Sequence, residues 1–258
     1  NDLCSLVPHK DRLTMSAVFV LDKNAQVKSE WYGRTVIHSQ KRFTYEEAEV
    51  SIHRSDAPLH QELAILNTLA KKLTKERFTQ GAISLDQEEV KFVLDKKGVP
   101  LKVLKKERGD SNRLIEEFLL LANKKVATVL SPYPSLYRVH DLPSKEKMAD
   151  LAFFLRSLGH KVSLRDGIIP THEINKLLEN LEDKNAKENL SDTVHRAVIR
   201  SMAKAVYSTK NIGHYGLAFL YYTHFTSPIR RYPDIIIHRL LQDFLSGKKI
   251  KKENMREK

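Results

Sequence analysis

Two adjacent arginines near the carboxyl end of the chain are the residues best suited to bind an anion. Arg230 and Arg231 belong to the stretch THFTSPIRRYPDIIIHRLL, which covers residues 223–241. Ser227 is a favourable N-cap and Pro228 suits the first helical position, so the sequence predicts that a helix begins here. The free N–H groups of a helix N-terminus attract anions, and a guanidinium fork matches a phosphate. The stretch therefore predicts a phosphate-binding site.

An ordinary solvated helix face is the alternative explanation for such a pair. Arg230, Asp234 and His238 recur every four residues and so lie along one side of the predicted helix. The other positions between 235 and 241 are mostly apolar, which is typical of a helix buried on most sides. Charged residues on such a helix need partners, and this favours the functional interpretation.

A second polar group lies inside the apolar pattern of NRLIEEFLLLAN. It contains Arg113, Glu116, Glu117 and Asn123. Ion pairing within the core explains these residues as well as ligand binding does, so the sequence leaves both possibilities open.

Several residues could contact a single-stranded nucleic acid, whose bases stack on aromatic rings and whose phosphates pair with cations. Arg138 and His140 end the short predicted strand SLYRVH, where a loop can present them to a cleft. Tyr45 lies at a predicted helix start, and Tyr232 lies beside the two arginines. A place in the hydrophobic core is the simpler explanation for most aromatic residues of the chain.

The composition favours a polyanionic partner. The 258 residues include 44 Lys and Arg against 32 Asp and Glu, and the net charge of +12 suits nucleic acid, an anionic membrane or a phosphorylated substrate. A single cysteine, Cys4, excludes an internal disulfide and a cysteine-built zinc site, so the cytoplasm is the expected compartment. The sequence contains no apolar run of membrane-spanning length, no G-x-S-x-G motif and no P-loop.

Strand and helix patterns alternate along the chain and predict an α+β fold, a mixed sheet packed with several helices. A β-hairpin is predicted around the turn DKNAQ and a second around DKKG. Thr44 begins a capping-box helix, and a long helix follows Asp110. Further helices are predicted at 171–180 and 191–207, and a buried strand at 215–224.

The chain has no clear linker, so residues 1–246 are predicted to form one domain, with residues 247–258 as a lysine-rich tail or truncated continuation. It begins at Asn1 without an initiator Met, and we expect it to be a piece of a longer protein.

Five blocks of this sequence occur together, and in the same order, in one protein family. They are CSLVPHKDRLTMS, SNRLIEEFLLLAN, LYRVHDLPS, RSMAKAVYS and HYGLAFLYYTHFTSPIRRYPDIIIHRLL. The chain thus resembles the catalytic (RNB) domain of the RNase II/RNase R exoribonucleases from Asp2 to Leu241. The wording of RVHDLPS and HFTSPIRRY is closer to RNase R than to RNase II.

The resemblance implies part of an RNB-type catalytic domain and a Mg²⁺-dependent activity. Members of the family degrade single-stranded RNA processively from the 3′ end and release nucleoside 5′-monophosphates. Tyr45 in RFTY matches a tyrosine near the 3′-terminal nucleotide, and Arg230 in SPIRRY matches the catalytic arginine. One of Glu116 or Glu117 in LIEEF matches a glutamate that contacts the terminal nucleotides. Further RNA contacts are expected from Arg113, Arg138, His140, Thr226, Ser227, Arg231 and Tyr232.

The sequence departs from the family pattern at two places. The family holds its metal with a cluster of aspartates, in a motif like DDxDDA shortly before CSLVPH, and Asp2 and Asp11 do not rebuild that cluster. We therefore expect no metal ligand in this chain, Mg²⁺ ligands upstream of residue 1, and no turnover by the chain alone. Leu85 in GAISL stands where RNase II has a phenylalanine that stacks on bases.

The alternative function is a non-catalytic RNB-like domain that binds RNA or a protein partner. The residues that precede Asn1 in the gene product would distinguish the two, because only the enzyme needs the clustered aspartates. A DNA-binding regulator is suggested by charge alone, and no recognition-helix motif supports it. Single-stranded RNA is the expected partner of a monomer, with neither membrane nor DNA involved.

Overall fold

The computed structural model describes residues 4–84, 89–106, 108–182 and 188–248. The strands in these ranges are β1 (Asp11–Leu21), β2 (Val27–His38), β3 (Glu89–Leu94), β4 (Pro100–Lys106), β5 (Tyr137–Val139) and β6 (Val206–Ser208). The helices are α1 (Tyr45–His53), α2 (His60–Thr79), α3 (Asp110–Leu130), α4 (Lys145–Ser157), α5 (Thr171–Glu182), α6 (Glu188–Ser201) and α7 (Tyr232–Leu245). Asp2, Leu85 and positions 249–258 of the predicted tail lie outside the described residues.

The α+β fold class is confirmed, but the described strands do not form one mixed sheet. They pair as three separate antiparallel ribbons, β1 with β2, β3 with β4, and β5 with β6. Both hairpins predicted from their turns are present. In the first, the Asp22 carboxylate accepts hydrogen bonds from the N–H groups of Asn24 and Gln26, which closes the turn between β1 and β2.

Helix α3 is the central element that joins the two ends of the fold. Its carboxyl half buries Val126 and Leu130 against α7, where Ile237 and Leu241 are fully buried, and against Tyr32 of β2. A second core lies among α4, α5 and α6. None of the helices within the described ranges combines the length and the apolar character needed to cross a bilayer.

The amino end of α3 is capped by a side chain from α1. The predicted capping box of α1 is present, with Thr44 and Glu47 bonded to each other's backbone N–H groups. Two residues further along α1, the Glu49 carboxylate accepts hydrogen bonds from the N–H groups of Ser111 (2.8 Å) and Asp110 (3.2 Å). These bonds satisfy donors that have no partner inside α3, and they fix α1 against it.

The terminal helix begins four residues later than the sequence predicts. A helix that began at Pro228 would hold Pro233 in its interior, where proline has no N–H for the carbonyl of residue 229. The chain instead extends at Arg231, with φ −130° and ψ 117°, and Pro233 falls in the first turn of α7. The two arginines therefore lie before the helix and not inside it.

Two other predicted elements were wrong. Residues 215–224 form a short 3₁₀ turn at Tyr215–Leu217 and then irregular backbone, where a strand was predicted. The apolar run reflects packing of aromatic side chains, such as Phe219 against Tyr222, and not a strand ladder. The helix predicted to reach residue 207 ends at Ser201, because Val206–Ser208 pairs with β5.

Candidate nucleic-acid interface

The segment that carries the arginines is a tight turn closed onto the start of α7. The carbonyl of Ser227 accepts hydrogen bonds from the N–H groups of Arg231 (3.1 Å) and Arg230 (3.3 Å). The N–H of Ser227 donates to Oδ1 of Asp234 at 2.7 Å. Asp234 is 0% exposed, so this carboxylate fixes the turn from inside the protein.

The two arginines have different surroundings. Arg231 donates two hydrogen bonds to Asp234, from Nε to Oδ2 at 2.8 Å and from Nη2 to Oδ1 at 2.9 Å. A buried carboxylate needs such a bidentate partner, because a lone buried charge is costly. Arg230 is exposed, and its guanidinium makes no hydrogen bond or ion pair within the part of the chain that the structure describes. Arg230 is thus the member of the pair that is open to a ligand.

A third arginine lies close to this turn. Arg138 in β5 is the cross-strand partner of Tyr207 in β6, and its guanidinium lies 4.8 Å from the centroid of the Tyr207 ring. The Tyr207 hydroxyl lies 2.6 Å from Nδ1 of His224. Burial lowers the pKa of His224 to about 4, and the positive charges of Arg231, Arg138 and Arg230 contribute to the shift. All three arginines therefore act on one tyrosine–histidine pair.

The loop that carries His224 is fixed by α3. The Asn123 side chain donates to the Tyr222 hydroxyl at 3.2 Å and accepts from the N–H of Phe225 at 2.9 Å. Asn123 is buried, so its amide replaces the backbone partners that this irregular segment lacks. The His238 ring in α7 bonds to the carbonyl of Phe225 at 2.8 Å, which ties the same loop to the terminal helix.

His140 lies inside the protein and not at its surface. Its Nδ1 accepts from the N–H of Gly216 at 3.1 Å, and its Nε2 lies 2.9 Å from the carbonyl of Ala203. This pattern requires the neutral tautomer with the proton on Nε2, and burial lowers the pKa of His140 accordingly. Both ring nitrogens are engaged in holding backbone segments together.

The two candidate glutamates of α3 differ in their exposure to solvent. Glu117 is 4% exposed and forms a buried ion pair with Arg77 of α2, with Nη2 and Oε1 2.5 Å apart. The Glu116 side chain is 46% exposed, and its Oε1 lies 4.0 Å from the same guanidinium. Glu116 is therefore the carboxylate that a ligand can reach, and Arg113 lies one turn before it.

The remaining candidates lie on two different elements. Tyr232 (54% exposed) begins α7, and the half-buried Thr226 and Ser227 precede it in the arginine turn. Tyr45 (49% exposed) begins α1, which is joined to the amino end of α3. Along α3, that end and Asn123 are separated by about 20 Å. The structure thus brings Arg138, Arg230 and Arg231 close together. Tyr45 lies on α1 and Glu116 lies in the amino half of α3.

One group among the described residues has the composition of a divalent-metal site. Ligand atoms of Glu49, His53 and Asp110 all lie within 4.8 Å of one another. Lys71 Nζ lies 2.6 Å from Oδ2 of Asp110, however, and the Glu49 oxygens accept the N–H groups that begin α3. An ammonium group and backbone donors thus fill the positions that a cation would need, and the group does not fit Mg²⁺. It serves to cap α3.

Three residues that contact the candidate site residues or lie beside them were not predicted from the sequence. Tyr207 and His224 are 17 residues apart, and no helical or strand period relates them. Arg77, the partner of Glu117, comes from a different helix. The sequence allows two partners for Asp234, since Arg230 and Arg231 precede it by four and three residues, and the structure pairs it with Arg231.

Comparison with known proteins gives one consistent result. The RNB domain model matches residues 1–247. Ribonuclease R from Aquifex aeolicus is 39% identical over 256 residues, which are 96% of this chain and 36% of that protein. The structure of Mycoplasma genitalium RNase R in complex with ribose methylated single-stranded RNA superposes with a TM-score of 0.84 at 28% identity, covering 94% of this chain and 38% of that one.

A further structural neighbour shares the fold alone. Yeast Ssd1, described as a pseudonuclease, superposes with a TM-score of 0.74 at 23% identity, covering 99% of this chain and 32% of that one. The chain spans about a third of the length of the curated relatives it matches.

Proposed function

Because the chain belongs to the RNB family, we propose that residues 1–246 are part of the catalytic domain of a 3′-to-5′ exoribonuclease. The substrate is single-stranded RNA, which the complete protein hydrolyses processively to nucleoside 5′-monophosphates. The observation that carries the proposal is the exposed Arg230 on a turn fixed by the buried Asp234, with Arg138 and Arg231 close by. A cluster of guanidinium groups suits a phosphodiester backbone.

Arg230 is the catalytic arginine in this proposal. Its guanidinium neutralises the charge that develops on the scissile phosphate, and the fixed backbone of the turn sets the position from which the side chain reaches the substrate. Arg231 has a different role, since both of its hydrogen bonds to Asp234 hold the turn in shape. It adds positive charge to the site without being free to follow the substrate.

The other contacts divide into ligand-facing and supporting residues. Tyr45 and Tyr232 are exposed aromatic rings that can stack on a base or a ribose, and Tyr45 is assigned to the 3′-terminal nucleotide. Glu116 is the accessible member of the glutamate pair, while Glu117 and His140 support the segments around the site. Arg113, Arg138, Thr226 and Ser227 complete the proposed RNA-contacting set.

Mg²⁺ is the metal expected for this chemistry, since phosphodiester hydrolysis of this kind uses carboxylate-held ions about 3.5–4 Å apart. Glu49, His53 and Asp110 do not fit it, so we assign its ligands to residues that precede residue 1 in the longer protein. What this chain contributes is the cationic half of the site, which binds and orients the phosphate.

The proposal is tested by replacing Arg230 with Ala in the complete protein. Loss of this donor should lower kcat for a 3′-labelled single-stranded RNA by about 10²- to 10³-fold, far more than the loss of RNA affinity expected from one phosphate contact. Arg239→Ala is the matched control, because Arg239 is another arginine further along α7.

Single-turnover rates and equilibrium binding, measured on the same RNA, separate the two effects. An equal loss of binding and rate would make Arg230 a gripping residue. Internal cuts by the wild-type protein, or cleavage that needs no free 3′ end, would defeat the exonuclease proposal.

A binding module without catalysis is the second candidate. The observation in its favour is that the acidic group of Glu49, His53 and Asp110 does not fit a metal. The segment before residue 1 in the gene product decides between the two, because clustered aspartates there support the enzyme.

A further inference from the structure

We propose that Tyr207 and His224 are positioning residues that hold the guanidinium of Arg138 at the phosphate-binding site beside the arginine turn. The inference rests on the proposed function, because it assigns roles within the same RNA site. Neither residue is expected to touch the reacting atoms. Their effect comes from fixing Arg138, the cation that contacts the RNA.

Arg138 and Tyr207 are in direct contact. The two residues face each other across the β5–β6 ribbon, and the guanidinium lies over the aromatic ring at 4.8 Å from its centroid. A cation–π contact of this kind limits the directions in which the guanidinium can point. The Tyr207 ring is therefore the support on which the Arg138 head group rests.

A hydrogen bond to His224 holds the Tyr207 ring. The tyrosine hydroxyl and Nδ1 of His224 lie 2.6 Å apart, and in the neutral imidazole with its proton on Nε2 this nitrogen accepts from the hydroxyl. The lowered pKa of His224, about 4, is consistent with this state at neutral pH. The hydroxyl proton thus has one defined acceptor.

The residues on both sides of His224 are held in place by hydrogen bonds. The residue before it, Thr223, donates its hydroxyl to the carbonyl of Leu136 at 2.7 Å, and the residue after it, Phe225, is held by Asn123. The rings of His224 and Tyr222 meet edge to face with centroids 5.6 Å apart. Movement of His224 is therefore restricted on both sides.

The same pair lies next to the turn that carries Arg230. The loop of His224 continues directly into the arginine turn, and the charges of Arg230, Arg231 and Arg138 all act on both His224 and Tyr207. The carboxylate of Asp234 also acts on both rings, and it is already paired with Arg231. Arg138 is therefore held by a direct contact with the Tyr207 ring, and Arg230 on the neighbouring turn supplies a second positive charge.

The test uses the complete protein with three variants, Tyr207→Phe, His224→Phe and the double variant. Each single change removes the same hydrogen bond, so kcat/KM on short single-stranded RNA should fall by about tenfold, and the double variant should fall no further. His224→Asn offers a carbonyl acceptor near the position of Nδ1 and should restore activity to within about threefold of wild type. Tyr133→Phe, which changes an exposed tyrosine just after α3, is the control.

Thermal unfolding of each variant separates positioning from folding, because an activity loss in a variant that unfolds at the wild-type temperature does not come from a loss of folded protein. Unchanged activity in Tyr207→Phe and His224→Phe, or strictly multiplicative losses in the double variant, would overturn the inference while leaving the proposed function intact. A wild-type protein that neither binds nor degrades RNA would remove both.

Discussion

At the residue scale, the two neighbouring arginines illustrate how burial divides the roles of identical side chains. The Arg231 side chain is 20% exposed and paired with a carboxylate that is 0% exposed, whereas Arg230 is exposed. The sequence predicts that charged residues near a buried helix need partners, and this is confirmed for Arg231. It cannot indicate which arginine is paired, because that depends on where the helix begins.

Asp234 should be the most sensitive polar residue of the turn. Asp234→Asn keeps an oxygen for the N–H of Ser227 but leaves Arg231 without its counter-charge in a buried position. We expect a loss of about 2–4 kcal/mol in the free energy of unfolding, measured by chemical denaturation. In Asp243→Asn, the control in the same helix, an exposed ion pair to Lys248 is removed and the change should stay below about 1 kcal/mol. Equal effects of the two changes would show that Asp234 does not fix the turn.

At the element scale, caps and turns were predicted correctly where the hydrogen-bonded residues are close in sequence. The capping box at Thr44 and the turn at Asp22 formed as predicted, because their donors and acceptors lie within four residues of each other. The start of α7 was missed, since the favourable pair Ser227–Pro228 is overruled by Pro233 five residues later. The cap of α3 could not be predicted, because its acceptor, Glu49, comes from another helix.

Glycine is needed at position 109 because the Glu49 cap leaves no room for a side chain, and not because of the backbone conformation. Its φ is −84°, which any residue adopts, but a Cβ here would lie 2.3 Å from Oε2 of Glu49. Gly109→Ala should therefore lower the free energy of unfolding, measured by chemical denaturation, by about 1–2 kcal/mol through loss of the cap.

The matching control removes the obstructing carboxylate. Glu49→Ala alone should cost about 1 kcal/mol, and adding Gly109→Ala to it should cost little more, because the clash is gone. Additive losses in the double variant would contradict this explanation of Gly109.

At the scale of the whole molecule, the arrangement of elements decides which candidates share a surface. The sequence identified Arg138 and Arg230 as candidates but not their proximity, which depends on the β5–β6 ribbon meeting the loop before α7. The ion pair of Arg77 with Glu117 joins two different helices. No periodic pattern in the sequence relates the two residues, so the pair was not predicted. The family resemblance supplied the order of the blocks, and the family assignment is confirmed.

The most direct test of the arginine cluster is the salt dependence of RNA binding by residues 1–258. The dissociation constant of a short single-stranded RNA should rise steeply with salt. The double variant Arg138→Ala/Arg230→Ala should reduce the logarithmic slope by about 1.4, or about 0.7 for each phosphate that is no longer neutralised. Mg²⁺ should cause no release of nucleoside monophosphates from this chain. A slope unchanged by the double variant would contradict the proposed cluster, and Mg²⁺-dependent release would place the metal ligands within these residues.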